Sequence, residues 1–151
     1  LIGSIDVLGE RPRSIGFLPD GSRAYVTNEM SGTVSVVDMV ARKTTHQITM
    51  PTDSRPMGIV VTPDGKRIYV SNGRGKTVSV IDPATDSVIG SVEVGTRPWG
   101  LALTADGRKL YTANGPANTV TVVDALALTV LKTIPVGSVP WGVAIGPAAI
   151  P

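Results

Sequence analysis

Six basic residues and two tryptophans carry the strongest chemical signal in this chain: Arg11, Arg13, Arg55, Arg74, Lys76 and Arg97, with Trp99 and Trp141. Cationic side chains beside flat aromatic rings suit an anionic planar ligand, or a single strand of nucleic acid as a weaker variant of the same chemistry. The bland use of the same residues is structural. An indole in Pro98-Trp99-Gly100 or Pro140-Trp141-Gly142 packs between neighbouring elements, while the arginines stay solvated or brace loops. Met57 stands at the matching place after Pro56, so an aromatic ring is not obligatory there, and packing is the favoured reading of the tryptophans.

Catalytic constellations are harder to assemble. His46 is the only histidine, which leaves no metal cluster of histidine spacing, no pair of haem ligands and no second base for a serine triad. It is expected on an outer strand, in water. Asp20, Asp64 and Asp106, and likewise Asp38, Asp82 and Asp124, recur once per repeat and read as turn formers, since a catalyst needs one special residue. Gly73-Arg74-Gly75-Lys76 has the look of a phosphate loop but leads into a strand pattern, so it reads as a β-turn. No catalytic residue, no metal ligand and no obligatory cofactor is assigned.

The elements that must position these residues are repeats. Pro12, Pro56, Pro98 and Pro140 are spaced by 44, 42 and 42 residues. In step run Asp20-Gly21, Asp64-Gly65 and Asp106-Gly107, then Tyr25, Tyr69 and Tyr111, then Asn28, Asn72 and Asn114. In the second unit, Gly58–Thr62 is an apolar run stopped by Pro63-Asp64-Gly65, where glycine accepts the positive φ of a tight turn. Arg67–Ser71 alternates with period two up to Asn72-Gly73. Thr77–Ile81 is largely β-branched and halts at Asp82-Pro83, since proline cannot donate to a ladder. Ser87–Val94 is a more polar fourth strand, as an outer edge should be. A period of this length built from four short strands predicts an all-β propeller of four-stranded antiparallel blades.

The predicted divisions are an outer strand of a preceding blade in 1–11, blades in 12–55, 56–97 and 98–139, and an inner strand of a following blade in 140–151. Neither end supplies the strands that the other lacks, so the chain is expected to be an internal piece of a larger ring. Antiparallel order places the loops between second and third strands on the face of the blade-to-blade connections. That face carries the six basic residues against Glu10, Glu29 and Asp53, whereas the opposite face balances its charges.

Bulk properties agree. Of 151 residues, 42% are hydrophobic and 17% charged, which is a globular composition with room for a core. The net charge of +2 is too small to argue for nucleic acid by itself, and no run approaches the length of a membrane span. The lack of cysteine excludes a disulfide framework and is compatible with an oxidising compartment.

The strings PDGSRAYVTN from Pro19, PDGKRIYVSN from Pro63 and ADGRKLYTAN from Ala105, each followed by a TVSVVD-like string, resemble the YVTN family of β-propeller repeats. The resemblance implies the fold of seven-bladed lactonase-like propellers and a bacterial or archaeal protein of the periplasm or cell surface. VPWGVAIGP from Val139 is also similar to propellers that accompany quinone-cofactor (PQQ) alcohol oxidation. The leading functional expectation is a non-catalytic scaffold that presents the Arg/Trp face to a protein partner, to remaining blades or to a small anionic ligand. The alternatives are an accessory protein of a PQQ-dependent system and a lactonase-like or lyase-like enzyme whose catalytic residues lie outside this segment.

Overall fold

The computed structural model describes residues 3–146 and contains twelve strands in three four-stranded antiparallel sheets. The first blade is β1 (Pro12–Phe17), β2 (Arg23–Asn28), β3 (Thr33–Asp38) and β4 (Lys43–Thr49). The second is β5 (Pro56–Val61), β6 (Ile68–Asn72), β7 (Thr77–Asp82) and β8 (Ser87–Glu93). The third is β9 (Pro98–Leu103), β10 (Lys109–Asn114), β11 (Thr119–Asp124) and β12 (Thr129–Pro135). Consecutive strands pair in every blade, as tight turns require.

The flanking segments 3–10 and 136–146 enter no ladder; the last part of the predicted inner strand, residues 147–151, lies outside the described residues. Ile5 and Val7 nevertheless pack on Ala24, Val26 and Val37 of the first blade, as Val92 and Val94 pack on the third. Among the described residues, no helix is long and apolar enough to cross a membrane.

Blade stacking makes the core. Tyr25, Val34, Val36 and Ile48 meet Ile59, Ile68, Val70 and Ile81 between the first and second blades. Tyr69, Val78 and Val80 meet Leu110, Val123 and Ala125 between the second and third. These middle strands are buried on both faces, which explains their largely β-branched runs.

Two hydroxyl contacts repeat at each junction. The Thr27 hydroxyl donates to the Met57 carbonyl (2.7 Å), and the Ser71 hydroxyl to the Trp99 carbonyl (2.8 Å). The Tyr25 hydroxyl donates to Asp86 (2.8 Å), and the Tyr69 hydroxyl to the Ala125 carbonyl (2.6 Å). The repeated asparagine is structural too. Asn72 Nδ2 donates to Thr77 (3.0 Å) and Ser79 (2.7 Å), tying the end of β6 to β7, and Asn28 and Asn114 do the same in their blades.

The register shifts by one residue where each inner strand begins, between Pro12 and Ser14, between Pro56 and Ile59, and opposite Thr112 to Asn114. A bulge re-aims the side chain beside it. The residue after the entry proline is thereby turned to the basic face.

Candidate functional site

The residues after the entry prolines are Arg13, Met57, Trp99 and Trp141, and each of the first three lies against the residue that follows the repeated asparagine of its own blade. Arg13 Nε is 3.2 Å from Glu29 Oε2. A Cβ on Gly73 would touch Met57 Cγ at 3.0 Å. A Cβ on Gly115 would stand 2.3 Å from Trp99 Cζ3 and 2.6–2.7 Å from its two ring neighbours. Such near-equal distances put Gly115 over the face of the indole, so only glycine leaves room for it. Trp99 in turn stacks on Trp141, with ring centroids 4.1 Å apart and planes 22° apart. The packing expected of the tryptophans is therefore present, but Trp141 keeps 63% exposure and faces a shallow recess shared with Arg13 and Met57.

Beside this stack opens a cleft of about 380 Å³ between the second and third blades. Met57 and Trp99 form its apolar floor, Arg55, Arg74, Lys76 and Arg97 supply four cations to its walls, and Glu29 of the first blade adds one carboxylate. The Arg97 guanidinium lies 5.6 Å from the Trp99 ring centroid. Little within the fold neutralises these cations. Arg74 reaches Asp53 only at 3.9 Å, with both side chains largely exposed, a pairing that contributes little. Arg55 Nη1 lies 3.3 Å from Met30 Sδ, a soft acceptor without charge.

Backbone strain accompanies the site. Arg11, Arg55 and Arg97 precede the entry prolines and have φ of 57°, 48° and 52°, a region that residues with a Cβ seldom adopt. Their carbonyls accept from the amides of Glu29, Gly73 and Gly115, which holds each arginine in that turn. Lys76 is also left-handed, at 53°.

Of the eight residues singled out from sequence, five line the cleft: Arg55, Arg74, Lys76, Arg97 and Trp99. Trp141 backs the stack. Arg11 and Arg13 stand apart, both drawn onto Glu29 Oε2 at 3.3 and 3.2 Å. Sequence reasoning counted these three charges separately because nothing in the repeat spacing says that they touch.

A second polar cluster was not foreseen. Asp86, in the turn between β7 and β8, receives Arg23 at 3.1 Å, the Tyr25 hydroxyl at 2.8 Å and His46 Nε2 at 3.2 Å. His46 is thus not simply in water: its side chain is 48% exposed but braces the junction with the next blade. Burial, reinforced by Asp86, raises the Tyr25 phenol far above its ordinary value, and burial also raises Tyr69. The turn aspartates are held below the usual carboxylate value by local hydrogen bonds, Asp20 chiefly by the Ser22 amide, Asp64 by the Thr62 hydroxyl and Asp106 by the Thr104 hydroxyl. Gly73–Lys76 forms the loop between β6 and β7. Among the described residues no group of His, Cys, Asp or Glu is arranged to hold a metal ion.

Comparison with known proteins follows this geometry. The model of the family described as "Lactonase, 7-bladed beta-propeller" matches residues 7–131. No curated protein matches the chain. Among solved structures, the hydrazine synthase of Kuenenia stuttgartiensis superposes with a TM-score of 0.82 at 28% identity, over 94% of this chain and 40% of that one. A functionally unknown protein from Desulfotomaculum acetoxidans DSM 771 superposes with a TM-score of 0.74 at 19% identity, over 87% of this chain and 44% of its own; at that identity the likeness concerns the fold alone. The chain therefore spans less than half the length of both structures.

Proposed function

We propose, from the premise that the chain belongs to the lactonase, 7-bladed beta-propeller family, that it is a binding module which takes a planar anionic ligand, or an acidic segment of a protein partner, in the cleft between its second and third blades. One observation carries this reading: four cations surround a floor of Met57 and Trp99, and the carboxylate on the same wall, Glu29, is paired with Arg11 and Arg13 rather than with them. A cleft of this size suits a small molecule rather than a solvent ion, and the lower limit of ordinary ligand pockets is about 300 Å³. Guanidinium groups supply paired donors to carboxylates or phosphates, and the indole supplies a flat surface for the ligand's ring. An exported location, in the periplasm or at the cell surface, goes with this function.

Both tryptophans of the chain lie at this site, so tryptophan emission reports on it directly. PQQ, a planar tricarboxylate, is a suitable probe, with calorimetry as a check on quenching by absorbance. Saturable binding that weakens with salt, and weakens about tenfold more in Arg97→Ala, is expected. Equal binding by wild type and Arg97→Ala, or no saturable binding, would overturn the reading. The family match supports one other function, hydrolysis of a lactone by residues beyond the three blades. Turnover of a lactone by the full-length protein, unaffected by Arg97→Ala, would favour that function over ligand binding at the cleft.

A further inference from the structure

The three blades differ at one position of the basic face in a way that bears on ligand choice. The residue after the repeated asparagine is Gly73 in the second blade and Gly115 in the third, but Glu29 in the first. Glu29 is 8% exposed and lies on the wall of the cleft, facing the same space as Arg55, Arg74, Lys76 and Arg97. Its Oε2 is met by Arg11 Nε at 3.3 Å and Arg13 Nε at 3.2 Å, and it makes no better-aligned hydrogen bond. A buried carboxylate held by two guanidinium groups is the arrangement that a bound anion would itself adopt.

We infer that Glu29 is the specificity-determining residue of the cleft, an internal anion that keeps Arg11 and Arg13 from binding ligand and limits the charge the cleft accepts. The inference rests on the cleft being the binding site proposed above. A ligand meets four cations along one part of the wall and the Glu29 carboxylate on another. The site then favours a flat molecule whose anionic groups are gathered on one edge, with an uncharged edge toward Glu29. A polyanion with carboxylates around its whole perimeter is repelled on that side. Replacing Glu29 by glutamine keeps the shape, removes the repelling charge and releases two guanidinium groups.

Two probes test this by calorimetry: PQQ, with carboxylates distributed around its rings, and 2-naphthoate, a flat ring system with a single carboxylate. In Glu29→Gln, PQQ is expected to bind about tenfold tighter with a steeper salt dependence, while 2-naphthoate changes by less than about twofold. Arg13→Ala, which leaves the Glu29 carboxylate with one guanidinium partner fewer, is expected to weaken PQQ. A Glu29 that only supports the fold would weaken binding in both variants, so the opposite signs separate the two roles. If wild type binds PQQ and Glu29→Gln binds it equally or more weakly, the inference is overturned and the cleft stands as a site. If wild type binds neither probe, the reading of the cleft as a site falls and the inference falls with it, even where Glu29→Gln binds PQQ. Failure of all variants to bind either probe removes both the inference and the reading beneath it.

Discussion

The two blade junctions use the same architecture with different chemistry at the rim. Between the first and second blades the left-handed turn residue is Asp86, which gathers Arg23, Tyr25 and His46 from the neighbouring blade. Between the second and third it is Leu128, which packs against the apolar core while Tyr69 and Arg67 reach backbone carbonyls of Ala125 and Leu126. Near the axis the order reverses. Ser14 carries a Cβ in the first blade, but the equivalent Gly58 has none, and a Cβ there would lie 2.5 Å from the Trp99 carbonyl oxygen. One junction is held at its rim by charge, the other at its axis by close backbone approach. A repeat fold tolerates this because each interface needs only buried area and satisfied polar groups, by whatever side chains supply them.

The axial contact is where this contrast breaks most sharply. Gly58→Ala must push apart two backbones rather than a flexible side chain, and is expected to cost about 3 kcal/mol, against less than about 0.5 kcal/mol for Ser14→Ala. Urea unfolding of both variants checks the difference; equal costs would mean that the junctions are equally tight at the axis. At the rim the asymmetry runs the other way. Asp86→Ala leaves the Tyr25 hydroxyl without its acceptor and Arg23 with the Pro83 carbonyl alone, and is expected to cost about 2 kcal/mol, below the range for fully buried pairs because water reaches Arg23. Leu128→Ala, half-buried, is expected to cost about 1 kcal/mol. A double-mutant cycle with Arg23→Ala should show strong coupling to Asp86 and none to Leu128.

Alkaline titration sharpens the same comparison. Tyr25 and Tyr69 both have folded values raised above the ordinary 10.0, so the stability they contribute is complete below pH 10 and is lost as pH rises through the folded values. Asp86 adds to the rise at Tyr25 as a hydrogen-bonded carboxylate, whereas Tyr69 bonds a backbone carbonyl, meets Asp64 and Asp124 only through weaker charge effects, and is opposed first by Arg67. Asp86→Asn is therefore expected to reduce the alkaline loss of stability without abolishing it, as read from urea midpoints on either side of pH 10. The smallest effect belongs to the outer turns. Asp20, Asp64 and Asp106 have folded values below 3.8, so their contribution is present above that pH and lost as pH falls through the lowered values. Thr62→Val, which removes the hydroxyl that donates to Asp64, should flatten this acid limb slightly; Ser22→Ala at the first blade should act chiefly through side-chain loss, since the Ser22 amide remains.

Much of this protein is written in local pattern. Three Asp-Gly turns, the β-branched runs and the periodic prolines define strands, blade boundaries and the face on which each loop emerges, because turn chemistry and period-two alternation act over a few residues. Topology alone therefore puts the loops of all eight singled-out residues on one face, whereas the gathering of five of them around one cleft comes from the packing. Which side chains touch was a different matter. The Glu29 pairing with Arg11 and Arg13, the His46 contact with Asp86 and the Trp99–Trp141 stack each join residues from different loops or blades. They depend on bulges that re-aim a side chain and on which neighbour falls opposite after stacking, and no period in the chain encodes either. Repetition dictated the frame, since every blade must solve the same backbone problem. The three-dimensional packing alone selected the chemistry of the cleft, since a charge is free or neutralised only according to what lies within a few ångströms of it.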